Sequence, residues 1–147
     1  MACDRPFPDG AMIVSAVYAD GEGFLRRDLC EPCFPGREGA FSAWKTRQPR
    51  TEEERVKLDL DLARDFLRRL VREGDPARAG LSYLLALLLA RKRRVRILET
   101  VRGAGAETLR VQMPGDEGDE VVELRVPALD DAETARLQAE LSGLFGP

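Results

Sequence analysis

The sequence predicts an α+β protein: a zinc-ribbon-like N-terminal hairpin, two helices, a three-stranded antiparallel meander and a C-terminal helix. Three observations lead there. Leu81 to Ala90 is apolar on nearly every side, so a helix over this stretch must be surrounded by protein. The preceding residues 51–73 carry Val56, Leu60, Ala63, Leu67 and Leu70 at spacings of four and three, the mark of one helical face. Three later segments alternate apolar and polar residues with the period of a half-buried strand.

The N-terminal region, 1–49, is rich in turns. Ala11 to Tyr18 reads as a strand, Ala19-Asp20-Gly21-Glu22-Gly23 as a turn, and Phe24 to Leu29 as the returning strand. Phe41 to Arg47 is a short extended segment, and Pro49 closes the region. Trp44, with Phe41 and Phe34, is expected to form a small core joining this hairpin to the helices; the weaker alternative is a partner-binding patch at Trp44.

The remainder, 50–147, is the α+β domain. Thr51-Glu52-Glu53-Glu54 is a capping box that opens the first helix, about 51–73. Glu53 with Lys57 and Asp65 with Arg69 are i,i+4 pairs on its exposed side, and Asp61 and Asp65 read as solvated. Gly74 stands where a left-handed cap is needed. Asp75-Pro76 opens the second helix, about 76–93, in which Gly80 is a weak point. Arg91 to Arg94 end it, where cations offset the helix dipole.

Strands are predicted at about 94–102, 107–113 and 119–126. Val95, Ile97 and Val101 are assigned to one face of the first, Leu109, Val111 and Met113 to one face of the second, and Val122, Leu124 and Val126 to one face of the third. The polar face should collect Arg94, Arg96, Arg102, Arg110 and Arg125 with Glu99 and Glu123. Asp130 to Glu133 then start a last helix, about 131–144, that turns Leu137, Leu141, Leu144 and Phe145 inward.

Composition narrows the chemistry. The 147 residues include no histidine, which removes Ser-His-Asp and Cys-His nucleophiles and every imidazole-bound metal. The net charge of -3 gives no global attraction to nucleic acid or anionic membrane. Lys45, Lys57 and Lys92 are the only lysines beside many arginines, the bias of a GC-rich genome. Leu81 to Ala90 falls well short of the ~20 apolar residues that span a bilayer, so no membrane association is expected. The N-terminus lacks the basic cluster of an export signal, so a cytoplasmic protein with reduced thiols is expected.

The candidate metal ligands are Cys3, Cys30 and Cys33. Cys30-Glu31-Pro32-Cys33 follows a strand, and two thiolates so spaced on a tight turn can reach one tetrahedral zinc. Cys3 lies on the other arm of the hairpin, where a second knuckle of a ribbon would stand. The fourth ligand of a Zn2+ site is not identified: Asp4 and Asp28 are weak substitutes, and the favoured explanation is that Cys3 is the second half of a knuckle whose first Cys precedes Met1, or that the site has decayed. Incidental thiols are one alternative. A redox pair is another, disfavoured because Pro35-Gly36 follows instead of a helix.

The runs Arg26 to Phe34, Phe41 to Pro49 and Leu84 to Arg93 resemble a family of uncharacterised bacterial proteins that begin with a cysteine knuckle and hairpin and continue into a Leu-rich helix ended by Arg and Lys. The resemblance implies an N-terminal metal-binding hairpin and no particular activity. The missing first cysteine is where this chain departs from it.

The densest basic run, Arg91, Lys92, Arg93, Arg94 and Arg96, is the candidate nucleic-acid-binding segment. No aromatic residue occurs between Tyr83 and Phe145, so base stacking is not available to it. The leading expectation is a non-enzymatic interaction module of the bacterial cytoplasm with an unidentified protein partner. Nucleic-acid binding through residues 91–96 is the second expectation, and a cysteine enzyme, which would lack a base, the third.

Overall fold

The computed structural model describes residues 10–21, 23–49, 51–103, 105–114 and 118–145. The described residues form a mixed α+β fold of three α-helices and two three-stranded antiparallel sheets. They divide into two compact units, 10–66 with 142–145, and 67–141.

In the first unit, β1 (Met12–Asp20) and β2 (Gly23–Cys30) make the expected hairpin, and β3 (Ser42–Arg47) pairs on the other side of β1. The strand order is β2-β1-β3. As the central strand, β1 buries five consecutive residues, Ile13 to Val17, and so has both faces covered.

Val14 and Ala16 face one side, where they pack with Ala40, Ala43, Tyr18 and Phe34. The alternate residues of β1 share a face with their register partners Phe24 and Ser42, which meet Phe66 and Leu62 of α1 (Glu52–Glu73). Phe66 of that helix lies 4.8 Å from Phe24, 5.1 Å from Phe41 and 5.4 Å from Phe145 between ring centroids. Arg26 Nη1 sits 2.6 Å from Asp59 Oδ1, a charge contact off the line of a hydrogen bond, and Arg26 also donates to the carbonyl of Leu144 at 2.9 Å.

Asp65 departs from the sequence reading. Its carboxylate does not face Arg69 in water but accepts from Ser42 Oγ at 2.8 Å and from the Ala43 amide at 3.2 Å. Arg69 instead pairs with Glu73 at 2.7 Å. Counting along a helix identifies neighbours on that helix only, and here a strand competes more strongly for the carboxylate.

The second unit holds the end of α1, a 3-10 turn at Pro76–Arg78, α2 (Ala79–Arg91), the meander β4 (Arg96–Gly103), β5 (Ala106–Met113), β6 (Glu120–Val126), and most of α3 (Asp131–Phe145). The strand order β4-β5-β6 is the predicted one. The caps also follow the sequence: Thr51 Oγ1 accepts from the Glu54 amide, Asp75 from Ala77, and Asp130 from Glu133. Gly74 takes φ 64°, and its amide donates to Leu70. The Leu-rich α2 buries Leu81, Leu85, Ala86 and Leu89, as its all-round hydrophobicity requires.

Gly80 is more than a weak point. A Cβ there would stand 2.9 Å from Leu137 Cδ1 and 3.1 Å from Leu129 Cδ2, so its lack of a side chain admits both leucines to the helix. The face assignment of β4 also needs correction. Ile97 pairs with Val111, but Glu99 pairs with Arg110, leaving Leu98 as an extra residue. Alternation changes phase there, so Ile97 and Val101 lie on opposite faces. For the same reason Arg102 falls opposite Glu107, in phase with buried Leu109, and pairs with it at 3.4 Å instead of joining Arg110. Every residue of β4 is exposed, while Leu109, Val111, Met113 and Leu124 of the other two strands are buried.

Candidate functional site

The cysteine turn grows directly from the sheet of the first unit. β2 ends at Cys30, opposite Ile13 of β1. Pro32 fixes a single 3-10 turn over Glu31–Cys33, closed by the Phe34 amide donating to the carbonyls of Cys30 and Glu31, each at 3.2 Å. Cys30 is half-buried and Cys33 exposed. Lys45 Nζ of β3 meets Glu31 Oε1 at 2.5 Å across the base of the turn. Beside it, the chain enters β1 past Gly10 and Ala11, whose carbonyls accept from Arg47 and Gln48.

Cys3 and Asp4 lie outside the described residues. Among the described residues no three Cys, Asp or Glu side chains converge as a metal site, so Cys30 and Cys33 supply at most half of a tetrahedral set. The loop that leaves Cys33 returns over the sheet: Phe34 and Ala40 pack on Val14 and Ala16, and Arg37 donates to the Ala43 carbonyl at 2.9 Å. Pro35 of this loop, with Tyr18, Leu25, Arg27 and Leu29, lines a cavity of about 370 Å3.

Trp44, Phe41 and Phe34 have separate settings. Phe41 belongs to the Phe24–Phe66 aromatic group and Phe34 to the cluster around Val14. Trp44 is half-buried, with the Arg64 guanidinium carbon 5.8 Å from its ring centroid.

In the second unit the basic run straddles the end of α2. Arg91, Lys92, Arg93 and Arg96 are exposed and Arg94 half-buried. The helix carbonyls that these cations were expected to offset are taken by backbone amides: Lys92 donates to Leu88, Arg93 to Ala90 and Arg94 to Leu89. Two sheet arginines further on are matched by carboxylates: Arg102 by Glu107, and Arg110 by Glu99 at 2.6 Å and Glu123 at 3.9 Å. Arg93, Arg94 and Arg96 line a second cavity, of about 520 Å3, at the junction of α2 and β4.

A third cavity, of about 470 Å3 and lined by Arg47, Gln48, Glu54, Lys57 and Asp61 among others, was not anticipated from the sequence. Its residues come from the end of β3 and the start of α1, and no local pattern joins them. No family model, curated protein or solved structure matches the chain.

Proposed function

We propose that the chain is a non-enzymatic interaction module whose first unit is clamped by a structural zinc ion, with Cys30 and Cys33 as two of the ligands and Cys3 as the third thiol. The observation that carries this reading is the placement of the Cys30–Cys33 turn. It begins the loop whose Phe34 and Ala40 cover the sheet and whose Pro35 walls the cavity beside Tyr18 and Leu25. A metal at the turn would hold that loop down and keep the cavity in shape. Leu25, Leu29 and Pro35 offer an apolar lining, with one cation, Arg27, and one carboxylate, Asp20, beside it, which suits an apolar protein segment.

The test is zinc stoichiometry in the purified full chain, measured before and after dialysis against a chelator. About one zinc per chain is expected, falling to near zero in a Cys30→Ser/Cys33→Ser variant, with a lower melting temperature for that variant. Zinc absent from the unaltered chain, with the double variant melting at the same temperature, would reject the clamp.

A further inference from the structure

The cavity at the end of α2 combines a backbone constraint with unmatched charge. Arg93 has φ 62° and is the one non-glycine among the described residues in the left-handed region. It stands just past the helix, where glycine is the favoured occupant. Neither Arg93 nor Arg96 has an ion-pair partner among the described residues, whereas Arg68, Arg102 and Arg110 of the same unit each have one. The cavity also contains Gln112, whose Nε2 donates to Asp119 at 3.1 Å, so the one carboxylate among the described residues of its lining is already engaged and leaves Arg93 and Arg96 to an incoming anion. The terminal carbonyls of α2 that backbone amides occupy present less negative potential to an incoming anion.

We propose that this cavity binds phosphate groups, presented either by a single-stranded nucleic-acid backbone or by a free polyphosphate. Arginine forks match the oxygens of a phosphate in two-point contacts, which suits a tetrahedral anion better than a spherical one. With no aromatic residue between Tyr83 and Phe145, a bound nucleic acid would be held by its backbone without preference among bases.

The full chain would be titrated with a short oligothymidylate by fluorescence anisotropy between about 50 and 200 mM salt, and with tripolyphosphate by calorimetry at the lower salt. Arg93→Gly and Arg96→Gln are compared with Arg136→Ala, which removes an exposed cation of α3. Arg93→Gly suits the left-handed backbone, so it removes charge without disturbing the turn.

Each cavity variant is expected to weaken oligothymidylate binding about 3- to 10-fold and to lower the slope of log affinity against log salt by about 1, with Arg136→Ala unchanged. Binding of tripolyphosphate alone, weakened in the same two variants, supports the site with a small anion as its source. Failure of both ligands to bind at the lower salt overturns the proposal. So does an Arg136→Ala effect as large as that of Arg93→Gly. If Arg93→Gly melts lower than the unaltered chain, the Arg96→Gln titration decides between these outcomes.

Discussion

One carboxylate anchors the start of β3. Asp65 accepts both Ser42 Oγ and the amide of buried Ala43, so its removal leaves a strand amide without a partner. Asp65→Ala is expected to cost about 2–3 kcal/mol and Asp65→Asn about half as much, because an amide oxygen can still accept one bond. Urea unfolding measures both; equal stability of the alanine variant would show that the anchor is dispensable. Arg93 presents the opposite case, a residue carried at a conformational cost of about 1–2 kcal/mol. Arg93→Gly should therefore unfold at a urea concentration no lower than that of the unaltered chain. Cap residues were readable from the sequence because donor and acceptor lie two or three positions apart, as at Thr51, Asp75 and Asp130. The role of Asp65 was not, because Ser42 and Ala43 are more than twenty residues away.

Among the elements, α2 shows most clearly how composition dictates burial, and Gly80 how it can mislead. Low helix propensity marks Gly80 as a defect, yet the space it leaves is filled by Leu129 and Leu137. Gly80→Ala adds helix propensity but presses on the tips of two flexible leucines, so the two effects should nearly cancel, within about 1 kcal/mol. Gly80→Val adds two methyls and a stiff branch, and about 2–3 kcal/mol should be lost in urea unfolding. The existence, order and pairing of β4, β5 and β6 could be read from alternation. The phase of β4 could not, because the inserted Leu98 is itself apolar and leaves the pattern looking unbroken. Ile97 and Val101 read as one face, and only the pairing with β5 separates them.

For the whole molecule, composition and periodicity were enough to indicate an α+β fold, and the packing of the hairpin adds what they could not. The first sheet is covered by Leu58, Leu62 and Phe66, which lie beyond Pro49 in the chain. A fragment ending at residue 49 would lose that cover, and we expect it to show no cooperative thermal transition by circular dichroism; a sharp transition in the fragment would disprove this. The extra residue at Leu98 bears on how copies of the chain meet. β4 lies at the border of its sheet with every residue open to solvent, which invites recruitment of a stray strand. The slip, at the third of its eight residues, puts its hydrogen-bonding groups out of step, so a straight incoming strand could match only the part on one side of Leu98 at a time. Deleting Leu98 should restore an even ladder and increase light scattering in concentrated solution, whereas the natural irregularity keeps neighbouring molecules from zipping together.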